Sequence, residues 1–206
     1  MPAAYPILLD VTGMKIVIVG GGAVALRKAT KLIEAGATDV TVISPKFTGD
    51  FPTPAKKVTS TFLPQHLDGA RLVFAATDSP AVNAQVLIEA RKRNALASRA
   101  DEETGDFSTG AALREKTVTI AVWAESPALA AAIRDGLKSR LDPRWSQMAQ
   151  AMQTLRPEIL RGNLSAGHRR KLFRALAEDA ALNKLANGGI NALREWIEEY
   201  KRELDH

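Results

Sequence analysis

The chain has 206 residues, enough for one large domain or for a nucleotide-binding domain with a smaller annex. Apolar residues make up 46% of it and charged residues 25%, which is typical of a globular protein and excludes the disordered and fibrous classes. The net charge of +5 favours anionic partners. Because acidic residues are interspersed and no long basic block occurs, a small molecule with carboxylates or phosphates fits this charge pattern at least as well as nucleic acid does, and we expect no nucleic-acid partner.

The chain contains no cysteine, which excludes disulfides, thiolate metal ligands and cysteine nucleophiles. Its three histidines are scattered rather than placed at metal-ligand spacing, so we predict no metal site. No apolar run is long enough to cross a bilayer, and the first ten residues lack the features of a signal peptide. We therefore expect no membrane association, with the cytoplasm as the default location.

The first half of the chain alternates β-branched apolar runs with helical patterns. The first run, Lys15–Val19, is of the kind buried in parallel sheets, and a helix ending at Gly36 follows it after a glycine turn. This alternation predicts a Rossmann-like, doubly wound α/β domain with a parallel sheet. Further strands are predicted at Val40–Ile43, Arg71–Ala76 and Val118–Val122, and a further helix at Pro80–Arg93.

The last third of the chain carries only helical patterns. The composition shifts between residues 113 and 145, which suggests a domain over 1–112, a connecting segment over 113–145 and a small helical C-terminal domain over 146–206. The helix that starts at Pro127 is predicted to end at Asp142. Its predicted apolar face is Leu129, Ala132, Ile133, Leu137 and Leu141, and the next helix is predicted to pack Trp145, Met148, Met152 and Leu155 on one face.

The glycine turn after the first strand fits the pattern G-x-G-x-x-A. It follows a strand and opens a helix, so its backbone amides and the helix N-terminus can meet a pyrophosphate. Gly20 allows the tight turn, Gly22 allows close approach, and Ala25 replaces the packing glycine. The predicted cofactor contacts in this turn are Gly20, Gly21, Gly22, Ala23 and Val24.

The end of the second strand leaves the choice between NAD and NADP open. An acidic residue usually binds the ribose there, but this chain has Ser44, Pro45 and Lys46. Lys46 could contact the 2′-phosphate of NADP, or it could be a solvated loop lysine. The spacing of the residues does not decide between the two cofactors.

Several charged or polar residues have two interpretations. The acidic residues after the strand near Leu96 could supply a base, an acid or a weak metal ligand, or they could form a solvated loop. Ser126, before Pro127, is more simply a helix N-cap than a nucleophile. The acidic residues are Asp101, Glu102, Glu103 and Asp106; Arg27, Lys28, Arg134 and Lys138 are most simply solvated helix charges, although some could face a polyanionic substrate.

Three segments together resemble the precorrin-2 dehydrogenase and sirohydrochlorin ferrochelatase family, which forms the N-terminal part of siroheme synthases. The first is the apolar Tyr5–Leu9 followed by the motif of Val19–Lys28. The second joins the residues AATD at 75–78 to Val82 and Asn83, and the third is the SPALA of residues 126–130. The resemblance spans most of residues 5–141, whereas the helical tail is similar only in position and pattern.

The resemblance implies hydride transfer from precorrin-2 to NAD, giving sirohydrochlorin, and a homodimer. Because the helix from Pro127 is apolar on one face, we expect the two chains to join through residues 117–142, within a dimerisation segment over 113–145. It implies that Thr77 and Asp78 contact the cofactor, that Ser126 contacts the substrate, and that Asp101 is the catalytic residue. Some family members also insert ferrous iron. The family's N-V-x-D, F-x-x-P-A and serine-rich segments are altered here, at residues 98–101, 107–111 and 123–125, and these changes leave the chelatase and the exact tetrapyrrole open.

A second hypothesis is an NAD-binding sensory or regulatory module without catalysis. A Rossmann-like fold alone does not separate this hypothesis from an enzyme. The retained Asp101 favours the dehydrogenase, whereas the altered segments favour the module.

Overall fold

The structure, a computed structural model, describes residues 5–100 and 105–204. The chain divides into two compact units, with the boundary between Ser108 and Thr109. Within the described ranges, no helix is long and apolar enough to span a membrane.

The first unit is built on a parallel sheet of five strands in the order β3-β2-β1-β4-β5. Strand β1 lies between β2 and β4, so the strand order reverses beside it, and Val19 pairs with both Ile43 and Ala75. The carboxyl ends of the three strands therefore meet at one edge, where open α/β folds bind ligands. The elements are β1 (Lys15–Val19), α1 (Ala23–Glu34), β2 (Asp39–Ser44), β3 (Lys56–Thr59), a short 3₁₀ helix (Pro64–Leu67), β4 (Leu72–Ala75), α2 (Pro80–Lys92) and β5 (Leu96–Arg99).

The sheet is buried on both faces because its central strands are continuous apolar runs. In β1, Val17 and Val19 point into the core that contains side chains of α2, whereas Ile16 and Ile18 point into the core that contains Ala25 of α1. The predicted Rossmann-like domain is confirmed. Strand β3 was not predicted, because its sequence KKVT has no apolar run and lies at the sheet edge.

The second unit begins with an antiparallel hairpin, against which α3 packs. The predicted strand at Val118–Val122 is present, but its partner strand was not predicted. Three helices follow and share a separate apolar core that includes Leu155, Leu172 and Leu193. The elements are β6 (Ala111–Glu115), β7 (Val118–Val122), α3 (Pro127–Lys138), α4 (Pro143–Arg161), α5 (Ala166–Ala175) and α6 (Asp179–Leu204), with a non-helical kink at Gly189.

Two details of the helical predictions are wrong. Helix α3 ends at Lys138, so Leu141 lies beyond it, and Asp142 caps the start of α4 by accepting a hydrogen bond from the Arg144 amide (2.9 Å). Trp145 does not share the buried face of Met148, because it is 54% exposed. Trp145 lies in the first turn of α4, on the solvent side. The helical period alone does not distinguish this exposed position from the buried position of Met148.

Candidate nucleotide site

The turn after β1 requires glycine at its first position. Gly20 has a φ of +129°, and a methyl group there would lie 2.1 Å from the carbonyl oxygen of Ala76. The Gly20 amide donates a hydrogen bond to the Ile43 carbonyl (2.8 Å). The turn is thus held between the ends of β2 and β4, the two neighbours of β1.

The loop after β2 closes onto the same turn. The carbonyl of Gly21 accepts hydrogen bonds from the amide (2.8 Å) and the hydroxyl (3.1 Å) of Thr48. A methyl group at Gly21 would lie 2.1 Å from the carbonyl oxygen of Lys46. Gly21 therefore serves the packing of the loop against the turn. No sequence pattern indicates the part played by Thr48.

Gly22 faces open space at the N-terminus of α1. A methyl group there would meet nothing within 4 Å, and no side chain caps the helix. The first hydrogen bond within the helix runs from the Leu26 amide to the Gly22 carbonyl (3.0 Å), so the amides before Leu26 have no helical acceptor. The first turn also carries no acidic residue. These features fit a pyrophosphate, because free amides and the positive end of the helix dipole attract it.

Ser44 uses its hydroxyl within the loop. The buried hydroxyl donates to the carbonyl of Lys46 (2.6 Å), and the Ser44 carbonyl accepts from the amide of Ser60 (3.1 Å). Pro45 has no amide hydrogen to offer. Lys46 is exposed, and no carboxylate in the described ranges pairs with it. Contacts of Ser44, Pro45 and Lys46 with the cofactor remain predictions.

A buried asparagine organises the turn after β4. Asn83, fully buried on α2, accepts hydrogen bonds from the amide (3.1 Å) and hydroxyl (2.8 Å) of Thr77 and donates to its carbonyl (3.0 Å). No sequence pattern indicates this role of Asn83, which belongs only to the family resemblance at Val82 and Asn83. The arrangement fixes Thr77 beside the glycine turn and leaves Asp78 exposed; their contact with cofactor remains a prediction.

Lys28 is not a solvated helix charge. It is partly buried on α1, and its ammonium lies 4.7 Å from the ring centroid of Phe74 on β4. Burial first, and then repulsion from Arg27 and Lys31, lowers the pKa of the Lys28 ammonium to about 8. The interpretation of Lys28 as a solvated charge is therefore wrong, whereas its neighbour Arg27 is exposed as expected.

The predicted catalytic Asp101, together with Glu102 and Glu103, lies outside the described residues. Asp106 has a structural role: its carboxylate pairs with Arg91 (3.0 Å) and accepts a hydrogen bond from the amide of Ala97 (3.0 Å). Asp106 thus fastens the end of the acidic loop to β5.

Ser126 lies in the second unit and is the N-cap of α3. Its hydroxyl accepts a hydrogen bond from the amide of Leu129 (3.3 Å), and Pro127 takes the first helical position. The N-cap interpretation is confirmed, and a contact between Ser126 and substrate stays a prediction. Among the described residues, no group of three or more acidic or histidine side chains is arranged to hold a metal ion.

Comparison with known proteins agrees with this geometry. A family model described as "Putative NAD(P)-binding" matches residues 7–111, just over half of the chain. The chain belongs to this NAD(P)-binding family. The matched residues include β1, the glycine turn and all five strands of the parallel sheet.

Longer relatives are siroheme synthases. The siroheme synthase of Photorhabdus laumondii is 29% identical over 97% of this chain, and that of Citrobacter koseri is 33% identical over 98% of it. This chain spans only 44% and 46% of the lengths of these two relatives. Among solved structures, SirC, a precorrin-2 dehydrogenase, has a TM-score of 0.77 at 23% identity, covering 96% of this chain and 100% of SirC. This match shows that the two chains share a fold.

Proposed function

We propose that this chain is an NAD-dependent dehydrogenase that oxidises precorrin-2 to sirohydrochlorin in siroheme biosynthesis. The observation that carries the proposal is the uncapped N-terminus of α1 behind Gly22, at the edge where the strand order reverses. The precorrin-2 dehydrogenase SirC, similar over nearly the whole chain, supports the choice of substrate. Use of NAD is compatible with the cytoplasm, which remains our expectation for the location.

The oxidation removes a hydride and a proton from the macrocycle. NAD, when bound, supplies the hydride acceptor. The amides at the start of α1 hold the pyrophosphate, and the Gly21–Thr48 contact keeps the loop after β2 beside it. In this proposal the carboxylate of Asp101 takes up the proton.

We favour NAD over NADP because the single exposed lysine at the end of β2, Lys46, makes a weak phosphate site on its own. Calorimetry with both cofactors tests this choice. Tighter binding of NADP, or NADP affinity that falls sharply in Lys46→Ala, would reverse it.

We also propose three functional regions, with the nucleotide-binding domain over 1–112, a dimerisation segment over 113–145 and a helical domain over 146–206. The proposed dimer is supported by α3, which exposes Leu129, Ile133 and Leu137 with exposed fractions of 53%, 42% and 39%. Exposed apolar side chains grouped on one helix are typical of an association surface.

The deciding experiment is an assay of NADH formation on precorrin-2 with the purified chain. Asp101→Asn should leave NAD affinity nearly unchanged and lower turnover by about a hundredfold to ten-thousandfold, because the amide has almost the same volume but accepts no proton. Glu102→Gln and Glu103→Gln are the matched controls. Asp106→Asn is unsuitable as a control, since Asp106 anchors the loop to β5.

The same assay separates the competing hypotheses. NAD binding without any NADH formation would support the sensory module and refute the dehydrogenase. Ferrous iron supplied with sirohydrochlorin tests the chelatase independently. If Asp101→Asn blocks only iron insertion, Asp101 serves the chelatase; if it blocks neither activity, the assignment of Asp101 is wrong.

A further inference from the structure

Lys28 carries a charge that is not among the proposed contacts of the nucleotide. Side chains on a helix incline toward its N-terminus, so the Lys28 ammonium is directed toward the glycine-turn end of α1. It lies over Phe74, the second-last residue of β4, whose ring packs edge to face with Phe107 at 5.4 Å between centroids. One aromatic ring thus borders the ammonium near the carboxyl edge of the sheet, and a second ring supports the first.

This ammonium has no carboxylate partner among residues 5–100 and 105–204; its contact there is the ring of Phe74. A partly buried cation loses hydration, and an aromatic ring repays only a part of that loss. The lowered pKa of Lys28 reflects the same loss of water. A methionine or leucine would fill the space between α1 and β4 without this cost, so packing alone does not account for a lysine.

The position of Lys28 argues against a contact with the distal end of the cofactor. In the sheet order β3-β2-β1-β4-β5, Lys28 lies over β4, whereas the ribose end predicted at Ser44 lies at β2, across β1. The pyrophosphate has its own donors at the start of α1. An anion that meets Lys28 is therefore more simply a group of the substrate, which in this proposal bears several carboxylates.

We propose that Lys28 is a positioning residue that binds a carboxylate of the tetrapyrrole substrate at the β4 side of the sheet edge. This inference rests on the proposed function. The substrate carboxylate would be the counterion of the Lys28 ammonium, which the described part of the chain does not provide. A charge-assisted hydrogen bond of this kind fixes the orientation of the macrocycle, because the ring system itself offers the protein few directional contacts.

The test uses uroporphyrin, a stable porphyrin with eight carboxylates, as a binding probe in the presence of NAD. Lys28→Met keeps most of the length of the unbranched side chain and removes its charge. We expect it to weaken uroporphyrin binding and to raise the KM for precorrin-2 by about tenfold to a hundredfold, the usual contribution of a hydrogen bond to a charged group. NAD affinity and kcat should change less than about threefold, and Lys28→Arg should restore part of the uroporphyrin affinity.

Arg27→Met is the matched control, because it removes the same charge from the exposed neighbouring position. If Arg27→Met weakens uroporphyrin binding as much as Lys28→Met does, the general positive potential of the surface explains the binding. The contact with Lys28 is then not specific, and the inference is wrong. Unchanged uroporphyrin affinity in Lys28→Met, or no binding by the unmodified chain, also overturns it. If the unmodified chain binds uroporphyrin through Lys28 but does not oxidise precorrin-2, the dehydrogenase proposal fails while the carboxylate contact stands.

Discussion

Gly21 and Gly22 are neighbours in the sequence, but added methyl groups would meet very different surroundings. At Gly22 the space is open and the backbone is extended, with φ of −87° and ψ of −173°, so alanine fits the folded chain. The methyl group would occupy the approach of the pyrophosphate. We expect Gly22→Ala to keep the melting temperature and to weaken NAD binding by about tenfold or more, measured by calorimetry.

Gly21→Ala is the contrasting variant. Its methyl group would overlap the carbonyl of Lys46, so the loop after β2 must shift and thermal stability should fall. If Gly22→Ala binds NAD as well as the unmodified chain, the pyrophosphate does not approach that glycine.

The stability of the chain should depend on pH through Lys28. Its pKa falls from 10.5 in the unfolded chain to about 8 in the folded one. Between these values the unfolded chain binds more protons, so this group makes the free energy of unfolding rise with pH. Below about pH 8 both states are charged and the folded chain bears the full cost of desolvation; above the unfolded value both are neutral.

Lys28→Met should therefore be more stable than the unmodified chain at about pH 7, by about 1–3 kcal/mol, and this advantage should shrink toward about pH 10. Urea unfolding at several pH values measures the difference between the free energies of unfolding of the two chains. Groups that titrate equally in both chains do not contribute to this difference. Arg27→Met should show the same trend more weakly, because it relieves only the smaller electrostatic part of the lowering of the Lys28 pKa and leaves the burial of Lys28 unchanged. An advantage that is independent of pH would mean that hydrophobic packing, and not charge, is responsible.

The burial of Lys28 was accessible from the sequence, although it was not predicted. Ala25, Lys28, Ala29 and Leu32 follow the i, i+3, i+4, i+7 spacing of one helical face, and Ala25 and Ala29 are fully buried. The apolar residues of this pattern define the buried face, and the spacing places Lys28 within that face although a lysine is usually solvated. Its contact with Phe74 on β4 depends on tertiary packing, which the spacing does not give.

At the scale of elements, Asn83 ties α2 to the turn after β4. It is the only buried residue of α2 that has a polar side chain. Asn83→Ala leaves the amide of Thr77 without its acceptor in a partly buried setting, and leaves its hydroxyl with only the Ser79 carbonyl at 3.2 Å. We expect the free energy of unfolding to fall by about 1–3 kcal/mol. Weaker NAD binding should accompany this loss, because Thr77 lies beside the glycine turn.

Gln85→Ala is the matched control on the same helix, since it removes an exposed amide. Urea unfolding should detect little change in this control. If Asn83→Ala and Gln85→Ala are equally stable, ordered solvent replaces the lost hydrogen bonds and Asn83 does not hold the turn.

Elements with strong apolar patterns were predictable, and those without were not. Strands β1, β2 and β4 are buried runs, whereas β3 (KKVT) and β6 (AALRE) alternate weakly and gain their pairing from neighbouring strands. A helix start with a Ser cap and proline was visible in advance, as Ser126 and Pro127 show, whereas Asp142 and Pro143, predicted to end a helix, in fact begin α4. The end of α3 was not predictable, because Leu141 continues the apolar period after the helix has ended at Lys138.

At the scale of the whole molecule, the sequence indicated a nucleotide-binding part and a helical part, and the chain does divide into two compact units. The glycine motif predicted where the cofactor turn lies because its chemistry is local: strand, glycines and helix are adjacent in the sequence. Thr48 and Asn83 reach the sheet edge from more distant elements, and Lys28, although it lies on the helix of the motif, gains its role from its contact with β4. Such residues are identified by the fold and not by the motif.

Association of two chains through α3 is the prediction at this scale. The unmodified chain should be a dimer in light scattering at micromolar concentration. Ile133→Asp places a carboxylate in the middle of the exposed apolar row of α3, and burying an unpaired carboxylate at an interface is strongly unfavourable. Because Ile133 is 42% exposed, this change should shift the protein to monomers without unfolding it.

The control is Ile88→Asp, which makes the same substitution at an isoleucine of α2 that is 55% exposed. If the dimer forms through α3, Ile88→Asp remains dimeric and keeps its melting temperature, because the new carboxylate stays hydrated. If both variants dissociate, general charge repulsion is responsible; if only Ile88→Asp dissociates, the interface lies on the first unit. A monomer for the unmodified chain would refute the dimer altogether, and the apolar row of α3 would then require another partner to cover it.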